Sequence, residues 1–102
     1  MQRRREAVYR LEIIANKSVE EDITDALEQY IPGILYSIVP LVYGRGGNDR
    51  KLGTSTWPET NFLMVSYIAD AELQTVKAVI QAVKERFKGE GIKLFIIKSE
   101  EV

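Results

Sequence analysis

A chain of 102 residues makes one domain, too short for two cores, and such a domain hides only about two-thirds of the surface its unfolded chain exposes. A net charge of −1 gives no global pull toward nucleic acid or an anionic membrane. Cysteine and histidine are both absent, which excludes disulfides, thiolate nucleophiles, Ser-His-Asp catalysis and zinc or soft-metal sites built on those side chains.

No apolar run is long enough to span a bilayer, so direct membrane insertion is not expected. The cations Arg3, Arg4 and Arg5 are not followed by an apolar segment, which argues against a secretory signal. The lack of cysteine fits a cytoplasmic protein.

Glu6 to Asn16 reads as a strand. Tyr9, Leu11, Ile13 and Ala15 recur at every second position and share one face, with Val8, Arg10, Glu12 and Ile14 on the other. A helix follows, with Ser18 as N-cap and Glu21 completing a capping box. Its apolar stripe is Val19, Ile23, Ala26, Leu27, Tyr30 and Ile31. The acids Glu20, Glu21, Asp22 and Asp25 complement the positive helix start rather than a metal. Pro32-Gly33 stops the helix.

Ile34 to Tyr43 is the second strand, apolar on both faces: Ile34, Ile38 and Val42 on one, Leu35, Val39 and Leu41 on the other. Pro40 cannot donate to a ladder, so its N–H side belongs at an edge, a bulge or a loop. Phe62 to Ile68 is the third strand, with Phe62, Met64 and Ile68 facing one way and Leu63, Val65 and Tyr67 the other. Asp70 caps a second helix whose stripe is Leu73, Val76, Val79, Ile80, Val83 and Phe87, and Gly89 ends it. The last strand runs from Ile92 to Lys98; Ile92, Leu94 and Ile96 face one way, Phe95 and Ile97 the other.

The order β-α-β-β-α-β predicts an α+β, ferredoxin-like domain over residues 1–102, with two helices on one face of a four-stranded antiparallel sheet. In such a sandwich the other sheet face should be polar if it meets water. Here it is apolar on most strands. At about 25 cal/mol per Å², burying a handful of those side chains offers on the order of 10 kcal/mol gross per chain. An apolar patch of that kind marks an interface, so a homo-oligomer with sheet faces inward is expected.

Tyr43 to Asn61, between the second and third strands, holds four glycines and three cations and almost nothing that builds a core. Long loops of this kind in small domains are functional or disordered. Gly44, Gly46 and Gly47 around Arg45 permit successive positive-φ turns that aim backbone N–H groups at an anion, and Arg50 and Lys51 add charge nearby. The pattern is neither a P-loop nor a dinucleotide fingerprint. A hydrophilic hairpin without a ligand fits the same residues. Trp57 and Pro58 anchor and stiffen the returning chain, or offer a stacking platform to a partner. Lys88-Gly89-Glu90-Gly91-Ile92-Lys93 is a second glycine turn, read as a helix C-cap or as a further backbone contact for phosphates.

Element order, element lengths, the long loop and the glycine turn resemble the PII signalling proteins. The run Arg50-Lys51-Leu52-Gly53 leading to Trp57-Pro58-Glu59-Thr60-Asn61-Phe62 is most similar to a PII-like subgroup. The resemblance implies a homotrimeric regulator without enzymatic activity, binding a small anionic ligand of the adenine nucleotide class (ATP, ADP or AMP) in clefts between subunits. It implies a ligand site drawn from Arg45, Gly46, Gly47, Arg50, Lys51, Gly89, Gly91 and Lys93. The loop from Tyr43 would be a T-loop whose Arg45, Asn48, Arg50 and Trp57 contact a target, a membrane transporter or an enzyme. Residues 44–61 contain neither tyrosine nor glutamine, so the resemblance does not extend to uridylylation or 2-oxoglutarate sensing. Two other readings stand beside it: a ligand-free assembly module of the same fold, near the CutA family, and, ranked last, a carboxylate-based enzyme.

Overall fold

The computed structural model describes residues 7–44 and 59–102. The elements are β1 (Val8–Asn16), α1 (Glu20–Tyr30), β2 (Tyr36–Gly44), β3 (Glu59–Ala69), α2 (Leu73–Arg86) and β4 (Lys93–Ser99). Short 3₁₀ turns, Lys17–Val19 and Asp70–Glu72, lead into the two helices. The strands form one antiparallel sheet in the order β2-β3-β1-β4, the ferredoxin-like arrangement.

Alternation decides which residues meet the helices. Leu11, Ile13 and Ala15 of β1 and Phe62, Met64 and Ile68 of β3 are buried against Ile23 and Leu27 of α1 and Val76, Val79, Ile80 and Val83 of α2. Ser66 lies among them, buried, and its hydroxyl donates to the Leu35 carbonyl at 2.7 Å. That bond ties β3 to the entry of β2 and satisfies a hydroxyl that would otherwise destabilise the core. Tyr36 donates its hydroxyl to Glu28 of α1 at 2.9 Å, and this bond raises the phenol pKa.

The helix starts differ from the sequence expectation. The side chain of Asn16, not Ser18, accepts the first free N–H, that of Ser18, at 2.9 Å. The first turn is 3₁₀, so the expected pairing of Ser18 with Glu21 does not form. Asp70 likewise opens a 3₁₀ turn; the capping contact there is from the Ala69 N–H to the Glu72 carboxylate at 3.3 Å. Tyr30 departs from the α1 stripe: it is 60% exposed and borders a groove of about 640 Å³ between the two helices.

Pro40 sits in an edge strand and at a bulge. Val39 pairs with Leu63 and Val42 with Asn61, so Pro40 and Leu41 together oppose Phe62. An extra residue reverses the alternation beyond it. Val42 therefore joins the side of Leu63 and Asn61 rather than that of Ile38, a correction to the period-two reading.

Candidate functional site

The strand directions bring several segments to one end of the sheet. The ends of β1 and β2 and the starts of β3 and β4 coincide there, as the pairs Asn16 with Asn61, Val42 with Asn61, and Ile14 with Lys93 require. The loop between β2 and β3 leaves from this end, at Gly44, and returns to it at Glu59. The turn carrying Gly89 and Gly91 enters β4 at the same end. The strands that carry Asn61 and Lys93, β3 and β4, flank β1 and are roughly 10 Å apart at the usual strand spacing.

The turn is built by the end of α2. The Phe87 N–H donates to Val83 and the Glu90 N–H to Phe87, closing the helix over the residues before Gly91. Gly91 then takes φ 60° and buried Ile92 re-enters the core. A Cβ at either Gly89 or Gly91 would meet nothing within 4 Å, so the backbone here is open to close approach. Only Gly91 needs glycine for its conformation. Gly91→Ala is expected to lower stability by about 1–2 kcal/mol, and Gly89→Ala to cost clearly less; urea unfolding of the two variants measures the difference.

The turn is held to the end of β1 by Ser18, whose hydroxyl donates to Glu90 at 3.3 Å. Lys17 is engaged by Glu20 at 2.7 Å. Lys93 is exposed on the sheet face opposite the helices, beside Ile14, and forms no ion pair among the described residues. Asn61 brings a different feature to the foot of the loop: its side-chain oxygen is buried without a hydrogen-bond partner. Such an atom costs about 1–3 kcal/mol unless something donates to it.

The sheet face opposite the helices flanks this end. Reading across from β4, Phe95, Glu12, Val65 and Ser37 form one row, and Lys93, Ile14, Leu63 and Val39 the next. Val39 is 48%, Tyr67 55% and Phe95 49% exposed, which is a large apolar area for one chain to leave uncovered. In its middle Arg10 donates from Nε to Glu12 and from Nη1 to the Tyr67 hydroxyl, each at 2.7 Å. Both bonds, the Glu12 one first, raise the Arg10 pKa further, so it stays charged.

Of the expected ligand residues, Gly89, Gly91 and Lys93 come together at the loop's end of the sheet. Arg45, Gly46, Gly47, Asn48, Arg50, Lys51 and Trp57 lie outside the described residues. Asn61 and Glu90 fall inside the two segments singled out from the sequence but were given no role of their own, and Ser18 was read only as a helix cap. The place of Asn61 depends on strand register and the Ser18–Glu90 contact on how two turns meet, neither of which residue type alone reveals. Among the described residues no cluster of carboxylates is arranged to hold a metal, and no helix is long and apolar enough to cross a membrane.

No family model matches the sequence, and no curated protein matches it. Solved structures do. CPII, a nitrogen regulatory PII-like protein from Thiomonas intermedia bound to ADP, AMP and bicarbonate, aligns with a TM-score of 0.67 at 18% identity, over 94% of this chain and 96% of its own. A structure described as a PII-like signalling protein from Thermus thermophilus aligns with a TM-score of 0.60 at 15% identity, over 94% and 90%. A DUF3240 family protein from Shewanella baltica gives 0.61 at 13% identity, over 93% and 92%. At such low identity the likeness speaks to architecture, and it extends over nearly the whole chain: this protein has the fold of the PII-like proteins.

Proposed function

We propose that the chain is a PII-like regulatory protein, assembled as a homotrimer through its apolar sheet face. In this reading it binds a small anionic ligand, an adenine nucleotide, at the sheet end where loop and glycine turn meet. The observation that carries this reading is that convergence. The foot of a glycine- and arginine-rich loop and the open backbone at Gly89 and Gly91 share one rim, beside a face suited to association.

Within this proposal Gly46, Gly47, Gly89 and Gly91 offer backbone N–H groups to phosphates. Arg45, Arg50, Lys51 and Lys93 supply charge. A neighbouring chain completes the cleft. Arg45, Asn48, Arg50 and Trp57 meet the target, a membrane transporter or an enzyme. The ligand moves the loop between two states only by its difference in affinity for them. The protein acts by binding, as PII-like signalling proteins generally do, rather than by catalysis. That CPII is found with ADP, AMP and bicarbonate supports the ligand class.

Isothermal titration with ATP, ADP and AMP tests this. Saturable heat is expected for at least one, and Arg45→Ala and Arg50→Ala are expected to weaken it by about tenfold or more, the loss of a charge-assisted hydrogen bond. Affinity unchanged in both variants would reject the cationic site. No heat from any nucleotide, with the oligomer intact, would favour the ligand-free assembly module.

A further inference from the structure

The charged cluster on the sheet face calls for an explanation that neither fold nor ligand supplies. Arg10 and Glu12 stand two residues apart on β1, in the middle of the face opposite the helices. Around them are Tyr67, Val65, Phe95 and Ile97, the direct cross-strand neighbours on β3 and β4. Two charges in such a patch oppose its burial, because each must be stripped of water. These two are already paired. Arg10 bonds Glu12 and the Tyr67 hydroxyl at 2.7 Å each, and its guanidinium carbon lies 5.7 Å from the Tyr67 ring centre.

We propose that the Arg10–Glu12–Tyr67 cluster is the device that lets this face be buried against further copies of the same chain. The inference rests on the oligomer proposed above and assigns its interface a specific electrostatic requirement. When a face meets copies of itself around a symmetry axis, identical charges are brought toward one another. An unpaired Arg10 would gather like charges at the contact, and so would an unpaired Glu12. Pairing them within each chain removes the net charge before association. A partner recognised through charge would need the opposite, an unneutralised group in the middle of this face, whereas Lys93, without an ion pair among the described residues, lies at its loop end. The occupant that fits is therefore a second copy, meeting an apolar surface whose central ion pair, Arg10 with Glu12, is already closed.

The test is a double-mutant cycle on self-association, read as mass against concentration by light scattering. Arg10→Met and Glu12→Gln are each expected to raise the concentration of half-dissociation by at least about tenfold, because each leaves the other charge unpaired at the contact. The double variant is expected within about threefold of the original chain, since no charge remains. Far-UV circular dichroism separates dissociation from unfolding. If Glu12→Gln does not fold, Tyr67→Phe carries the test, with a weakening of about threefold or more from the lost hydrogen bond. Single variants that associate as the original does, or a double variant weaker than both, would overturn the inference while leaving the oligomer standing. A monomeric original chain would overturn both.

Discussion

Leu63→Glu is expected to give a folded single chain in place of the proposed oligomer. Leu63 pairs with Ile14 on one side and Val39 on the other, on the sheet face opposite the helices. A glutamate there points away from the core of its own chain, so the fold has no reason to fail. In an assembly it would place a carboxylate from every chain into an apolar contact with no cation opposite. The effective penalty for burying an unpaired charge is several kcal/mol per ion. Several such charges in one assembly exceed what a modest interface can offset. Light scattering should read the mass of one chain, with an unchanged far-UV spectrum. A variant that keeps the original mass would show that this face is not the contact.

Phe62→Ala tests the other side of the same sheet. Phe62 is fully buried, opposite the bulge at Pro40 and Leu41, and packs into the cluster formed with both helices. Truncating a buried phenylalanine removes its transfer free energy and leaves a cavity, together about 3–5 kcal/mol. A small domain has only about 5–15 kcal/mol in total. The variant should therefore unfold at much lower urea, and association should decline with it because the loop and bulge lose their support. A midpoint shift worth less than about 1 kcal/mol would mean that this end of the core relaxes freely, against the packing described here.

The contrast between adjacent residues 62 and 63 shows what alternation can and cannot reveal. It placed the two on opposite faces, as it did Leu94 and Phe95, and the structure does the same, because each strand there keeps period two. It failed for Val42. Pro40 announced an edge, a bulge or a loop, but composition does not decide among the three, and only a bulge makes every later side chain change face. The first helix start failed for a related reason. Asn16 and Ser18 are both good caps, two residues apart, and the choice between a 3₁₀ and an α first turn decides which one acts. Tyr30 had helical spacing but a polar tip, and it sits at the groove's border rather than in the core.

The site was legible in part. The glycine turn could be read as a turn, but not that Gly91 alone carries the positive φ. Lys93 could be placed on the outer face by its position after Ile92, and it is there. Arg10 and Glu12 could be seen to share a face. Their bond to Tyr67 could not, because it depends on the register between β1 and β3, set by contacts far apart in sequence. Nor could Ser18 with Glu90, two turns far apart in sequence, or the unpartnered oxygen of Asn61.

In the proposed assembly the apolar sheet face is covered by copies of this chain, and the ends of β2 and β3 and the glycine turn lie at a shared rim. The mass of the unaltered protein at micromolar concentration, by light scattering, tests it most directly. Three times the 11.6 kDa of one chain is the result expected. A mass equal to a single chain would contradict it.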